Sequence, residues 1–327
     1  MVKEDLMHFV KLIFKRLTFG LLIIITLIIF VAILFAFIHN ILTIKEKMEM
    51  QIGEVISVSD KKMNAYVTGE GAHTIVLLSG LGTASPIADF MPLAEKLGEE
   101  NRVVILEYFG YGFSDQTSEP RTNKQIVAEV REALEKLGLK GPYILMPHSI
   151  SGIYALEYAM TYPEEVEAII GIDASVPNQT KITSPPKVSG LMGIMNKMGF
   201  FRLLDTTNAE MNTGGYYTDV ELKLAEYAAK WNSMNFTMID EFEHVLSNTT
   251  LLYDRQYPVD LPILLFLSSD TIKNDDTWLP LHEAMFTEQT AREIQKISIL
   301  EGGHYLHWYQ CERITEATLA FIKNVLD

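Results

Sequence analysis

Hydrophobic positions along this chain fall into two regimes. From Leu17 to Ile38 there are 22 uncharged residues dense in Ile, Leu and Phe, so a helix built from them is apolar on every face. About 20 such residues carry a helix across the ~30 Å hydrocarbon layer of a bilayer. The pattern therefore predicts a membrane-spanning helix. The apolar region of a cleaved signal peptide runs only about 7–15 residues and ends in a small-x-small site. Phe37-Ile38-His39-Asn40 offers no such site, so the segment is expected to stay in place as an anchor. A buried core helix of this kind at the chain terminus would find nothing to cover it.

Beyond a polar link at 39–51, short apolar runs alternate with stretches of three- and four-residue periodicity. Strands are predicted at Glu54–Ser59, Asn64–Thr68, His73–Ser79, Arg102–Glu107, Tyr143–Met146, Val166–Ile172, Ile263–Leu267 and Ile297–Leu300. Helices are predicted at Pro86–Leu97, Asn123–Leu137, Ile150–Tyr162, His282–Lys296 and Glu312–Leu326, with Pro163 stopping the third. The alternation specifies an α/β fold: an eight-stranded, mostly parallel sheet flanked by helices, its first two strands antiparallel. It breaks at about 176–260, a stretch rich in Met, Phe, Tyr, Asn and Thr with helical patches at Leu191–Leu204, Asp219–Trp231 and Phe236–Leu246. That stretch reads as a helical cap inserted into a domain spanning 52–327, with Ser184-Pro185-Pro186 in its entry loop.

Charge and composition narrow the function. The formal net charge is −15, and residues 51–327 hold 21 basic against 38 acidic side chains, which excludes a nucleic-acid partner. With Cys311 as the single cysteine, neither an internal disulfide nor a zinc site of Cys/His spacing can be drawn. No metal and no organic cofactor is expected. Lys3, Lys11, Lys15 and Arg16 precede the apolar run, and only Lys45 and Lys47 follow closely. The positive-inside bias then leaves residues 1–16 in the cytoplasm and the large domain outside it. Asn178, Asn235 and Asn248 begin Asn-x-Ser/Thr triplets, which arise readily by chance and are read as ordinary polar residues.

Candidate chemistry centres on Tyr143-Ile144-Leu145-Met146-Pro147-His148-Ser149-Ile150-Ser151-Gly152, a strand that meets a helix through a tight turn with Ser149 at its apex. Such a nucleophile elbow wants small residues two before and two after the serine, usually Gly in G-x-S-x-G; here they are Pro147 and Ser151. A serine hydroxyl needs a base within hydrogen-bond reach, and the base needs an orienting acceptor. His304, in a Gly-rich loop just past the last predicted strand, lies at the same sheet edge as the elbow, because parallel strands bring their C-terminal loops together. His307, between Leu306 and Trp308, reads as a packed or solvated residue. His148 reads as structural, beneath the turn.

Residues 52–327 resemble the α/β-hydrolase superfamily, and the likeness extends beyond the elbow. Ser79-Gly80-Leu81-Gly82 resembles its His-Gly-x-Gly loop, Glu107-Tyr108-Phe109-Gly110-Tyr111-Gly112-Phe113-Ser114-Asp115 its Asp-x-x-Gly-x-Gly-x-Ser loop, and Gly302-Gly303-His304 its catalytic-histidine loop. The resemblance implies a serine hydrolase acting on a small acyl substrate. It places the acid after the penultimate strand at Asp270, with Asp275, Asp276 and Asp173 as alternatives, and gives the chain order Ser149, Asp270, His304. Backbone N–H groups of Leu81 and Ile150 would form the oxyanion hole. Relatives with an Asp nucleophile, such as epoxide hydrolases, do not fit a serine. In the cap, Met192, Met195 and Trp231 are candidate pocket residues. Other readings are an aminopeptidase or lactonase of the same fold, and a catalytically silent binding protein.

Overall fold

The structure, a computed structural model, describes residues 2–179, 190–206, 209–286 and 294–327. Eight strands form one sheet: β1 (Glu54–Val58), β2 (Lys61–Thr68), β3 (Thr74–Leu78), β4 (Arg102–Glu107), β5 (Tyr143–Pro147), β6 (Val166–Ile172), β7 (Ile263–Ser268) and β8 (Gln295–Leu300). Their spatial order is β1-β2-β4-β3-β5-β6-β7-β8. β1 pairs antiparallel with β2 and β2 antiparallel with β4, and every later pairing is parallel.

The runs are apolar throughout because both faces of the sheet are covered. Alternate residues serve opposite faces. Val76, Leu78, Val104, Leu106 and Leu145 join one core; Ile75, Leu77, Val103, Ile105, Ile144 and Met146 join the other. The helices are α1 (Val2–Met50), α2 (Pro86–Leu97), α3 (Asn123–Lys136), α4 (Ser151–Thr161), α5 (Gly190–Lys197), α6 (Asp219–Asn232), α7 (Phe236–Leu251), α8 (Ser269–Asn274), α9 (Trp278–Glu283) and α10 (Leu306–Phe321). α3 and α4 cover the first face, α2 and α10 the second. α2 starts where the sequence demands it: Ser85 accepts from the Ala88 N–H and Pro86 occupies the first turn. α5, α6 and α7 form the cap.

Four elements depart from the sequence reading. The strand expected at Ile297 begins at Gln295, whose amide binds the Pro258 and Leu261 carbonyls. Of the helix expected at His282–Lys296, the structure has α9 ending at Glu283, and 287–293 lie outside the described residues, as does Ser184-Pro185-Pro186. α10 begins at Leu306 rather than Glu312, immediately after the His304 loop.

The fourth departure is the largest. α1 does not stop at Ile38; it continues through the expected link to Met50, a stretch without Gly or Pro and rich in helix formers. Its most apolar window has mean hydropathy 3.5 and none of it is buried, long and apolar enough to cross a membrane. Residues at 39, 43, 46, 47 and 50 share a helix face, and this face docks on the cap. Arg202 donates two 2.8 Å hydrogen bonds to the Glu46 carboxylate, one of 2.7 Å to Thr43 Oγ1 and one of 2.7 Å to His39 Nδ1. Trp231 Nε1 adds a 2.7 Å bond to Glu46. Burial, then Arg202, push the His39 pKa down to about 4, so the neutral ring can accept from the guanidinium. Burial raises Glu46, but the bonds from Arg202 and Trp231 outweigh it and hold the carboxyl below its ordinary range. Lys47 reaches the Gly112 carbonyl at 3.3 Å and lies over the Trp231 ring.

Arg202→Ala leaves Glu46 buried without its main partner. The full chain in detergent is expected to lose about 2–3 kcal/mol of unfolding free energy. Lys223→Ala breaks an exposed pair with Glu49 and a contact with the Tyr227 ring and should cost about 1 kcal/mol or less. Paired chemical-denaturation curves measure the difference.

Candidate active site

β5 ends in the turn Pro147-His148-Ser149, and α4 begins two residues later. Ser149 has φ of 53°, a left-handed conformation that costs a non-glycine residue about 1–3 kcal/mol. The turn persists because its neighbours hold it: the Ser149 carbonyl accepts from Ser175 N–H at 2.7 Å, and His148 N–H donates to Leu78 O at 2.8 Å. The two departures from G-x-S-x-G are accommodated. The ladder bond to β3 at this point comes from His148 rather than Pro147. Ser151, fully buried, donates to the Ser79 carbonyl and pairs with the Tyr108 hydroxyl at 3.0 Å. The extra side chain ties the elbow to the loop after β3.

That loop lies against the serine. A Cβ on Gly80 would sit 2.8 Å from His148 Nδ1 and 3.0 Å from Ser149 Cβ, so only glycine fits. Gly82 N–H donates to the Tyr111 hydroxyl at 3.2 Å, and Tyr111 donates to Glu241 of α7 at 2.8 Å. Glu241 also accepts from Tyr154 at 2.8 Å, and full burial raises its carboxyl pKa. Among the described residues, no protein group accepts from the N–H of Leu81 or Ile150.

His304 Nε2 lies 2.9 Å from Ser149 Oγ, and its Nδ1 lies 2.7 Å from Asp173 Oδ2. Asp173 directly follows β6, is fully buried, and has φ of 41°. Its Oδ1 accepts from the Ser268 N–H and Trp278 Nε1, both at 2.9 Å, and Oδ2 also accepts from Thr271 Oγ1 at 2.6 Å. His148, buried, sets its Nε2 3.1 Å from the His304 carbonyl. With a carbonyl as partner that nitrogen carries the proton, and burial, then His304 and His307, hold the ring pKa far below its ordinary value. His307 is a packed residue, 1% exposed, with Nε2 3.1 Å from Asp89.

The structure thus brings Ser149 and His304 together but not Asp270. Ser268 caps α8 by accepting from Thr271 N–H, and the first turn of that helix carries Asp270 outward. There it is half exposed and bonded to Lys273 at 2.8 Å, which lowers its pKa. Asp275 accepts from Thr277 at the entry to α9, and Asp276 is exposed. The aspartate against His304 is Asp173, whose sequence signal was a charged residue ending a buried strand next to β5. Ser268, Thr271, Trp278, Tyr111 and Glu241 carried no local signal; their partners lie far along the chain.

The cap residues read as pocket lining are also placed elsewhere. A cleft of about 590 Å³ opens beside the loop after β3, walled by Thr83, Asp89, Met211, Leu222, Tyr305 and Trp308. Met192, Met195 and Trp231 are not among its described lining residues, nor are Ser149 and His304. Trp231 is turned to Glu46 and Phe113, and Met192 and Met195 are half-buried on α5, which packs on α6 and α7. The cleft approaches the serine through Gly82 and through Tyr305, the neighbour of His304. Asn235 and Asn248, fully buried, spend their amides on Gly110 O and Arg121 O, which removes both from any surface modification of the folded chain.

Known proteins resemble this chain to different depths. The uncharacterized protein YbdG of Bacillus subtilis is 31% identical over 282 residues, covering 84% of this chain and 86% of that one. A pimeloyl-[acyl-carrier protein] methyl ester esterase of Aliivibrio salmonicida is 28% identical over 107 residues, 33% of this chain and 38% of its own length. Among solved structures, the epoxide hydrolase VrEH1 of Vigna radiata superposes with TM-score 0.61 at 14% identity, covering 84% of this chain and 99% of that one. A mutant of the meta-cleavage product hydrolase CumD of Pseudomonas fluorescens gives 0.58 at 16%, covering 83% and 98%. Likeness at such identity is one of fold. The alpha/beta hydrolase fold family matches residues 73–310, from the first parallel strand through the His304 loop, and this chain belongs to it.

Proposed function

We propose that this protein is a membrane-anchored serine hydrolase that cleaves an acyl substrate through Ser149, His304 and Asp173. The observation that carries this reading is the continuous hydrogen-bonded line from Asp173 Oδ2 through the His304 ring to Ser149 Oγ. Ser149 attacks the acyl carbon while His304 Nε2 takes its proton. Asp173 accepts the Nδ1–H and favours the imidazolium as it forms. The oxyanion is met by the N–H groups of Leu81 and Ile150, the loop behind Leu81 being held by Tyr111 and Ser151. His304 then returns the proton to the leaving group, and in the second half-reaction it activates water against the acyl-enzyme.

The serine also discriminates among the chemistries seen on this fold. With an epoxide, a serine oxygen would form an ether, which has no carbonyl for water to attack. With an ester, thioester, lactone or amide it forms an ester that His304 and water can open. The anchor is the apolar part of α1. Lys47, turned into the protein against Gly112, weakens the basic count after the run and strengthens the bias that leaves the N-terminus in the cytoplasm.

Fluorophosphonate labelling of the full chain is expected to mark wild type and to vanish in Ser149→Ala; labelling that persists in the variant refutes the nucleophile. Asp173→Asn should lower kcat on a short p-nitrophenyl ester by roughly 1,000–10,000-fold, whereas Asp270→Asn should stay within about twofold. Circular dichroism under the assay conditions confirms that each variant is folded. Equal losses in the two variants would remove Asp173 from the mechanism. Protease added to intact cells should digest the large domain, and digestion only after permeabilisation would reverse the topology.

A further inference from the structure

The cap carries an apolar surface that the catalytic reading does not use. On α5 and the single helical turn Phe200–Leu203 that follows it, Ile194 is 50% exposed, Phe200 41%, Leu203 63% and the adjoining Leu204 49%. Phe236, packed against Gly193 and beneath the Lys197 ammonium at 5.0 Å, is 39% exposed at the margin of the same surface. Exposed large apolar side chains scattered singly need no explanation, but a contiguous group of them marks a binding surface.

The position of this surface on α1 says what covers it. Gly199 is flush with His39: a Cβ on Gly199 would lie 2.5 Å from the His39 side chain. Arg202, between Phe200 and Leu203, clamps His39, Thr43 and Glu46. His39 is the residue next to Ile38, where the apolar run ends. At about 1.5 Å of rise per residue, it stands within about one turn of the hydrocarbon boundary. The polar layer on each side of that boundary is roughly 5–7 Å deep, half the difference between the ~30 Å core and the ~40–45 Å bilayer. A group packed against His39 therefore lies at headgroup depth. Lys197 at the margin suits such a place, its stem on apolar surface and its ammonium toward phosphate.

We propose that the surface formed by Ile194, Phe200, Leu203 and Leu204 is seated in the interfacial layer of the same bilayer that α1 crosses, so that the cap, and not the anchor alone, contacts lipid. The inference rests on the membrane-spanning reading of α1. The partner is the lipid surface, and the buried Arg202–Glu46–His39 cluster fixes how deep the cap sits.

The test uses the full chain in lipid nanodiscs with an environment-sensitive fluorophore on one introduced cysteine: Leu203→Cys, Ile25→Cys or Lys140→Cys. Leu203 is already exposed, so the substitution leaves the core intact. Cys311 is buried, with its thiol pushed up to about 12 by burial, and does not compete for label. Lys140 is exposed in the loop before β5, at the end of the sheet opposite the cap. Acyl-brominated lipid is expected to quench the probes at 25 and 203 at least twofold and to leave the probe at 140 unchanged. Quenching at 25 without quenching at 203 overturns the proposal and leaves the anchor standing. A probe at 203 that is blue-shifted yet unquenched assigns the surface to a second copy of the chain and also overturns it. No quenching at 25 overturns the anchor, and this inference with it.

Discussion

A carboxylate with no solvent exposure organises the reactive end of this molecule. Asp173 receives the Ser268 backbone, Thr271, Trp278 and His304, which come from β7, α8, α9 and the loop after β8. Four donors match the lone-pair capacity of one carboxylate. A buried carboxylate with fewer would carry a desolvation cost that the fold could not offset cheaply. The C-terminal ends of three neighbouring parallel strands are thereby drawn to one point, and the imidazole of His304 is left with a single orientation, one nitrogen on Asp173 and the other on the serine. The left-handed backbone at both Asp173 and Ser149 is the local strain that this convergence requires.

The cap enters the same network from the other side. Glu241 on α7 holds Tyr111, and Tyr111 holds the N–H of Gly82. A cap helix thus reaches the loop that abuts Ser149 through two hydrogen bonds. Ser151 and Tyr108 fasten that loop from below. The cap is in turn joined to α1 by Arg202, Glu46 and Trp231, and Lys47 of α1 touches the Gly112 carbonyl on the loop that also carries Tyr111. From α1 to Ser149 the molecule is linked by polar contacts, each made with a partner distant in sequence. The helix that leaves the apolar run is therefore part of the folded domain rather than a tether to it. This distinction matters mechanically, because a docked helix fixes the direction in which the apolar run leaves the domain, whereas a flexible link would leave it free.

Local patterns in the sequence were sufficient for an apolar run long enough to cross a membrane, the eight strands, the helices between β6 and β7, the turn at Ser149 and the loop of His304. Each depends on periodicity, on turn residues or on the apolar length of one segment, all of which are written within a dozen or so neighbours. Which aspartate meets His304 was decided by tertiary structure. Asp173 and Asp270 follow adjacent parallel strands and look equivalent in one dimension; Ser268 starts a helix that turns Asp270 to solvent, and the left-handed backbone of Asp173 turns it under His304. Trp231 looked like pocket lining because it is aromatic and lies in the cap, but its indole nitrogen is claimed by Glu46, 185 positions earlier in the chain. Residues 39–51 looked like a linker because the apolar run ends before them; all but Gln51 continue α1, and His39, Thr43 and Glu46 find their partners on the cap. A side chain's partner across such distances is set by packing, and packing is not encoded within any one segment.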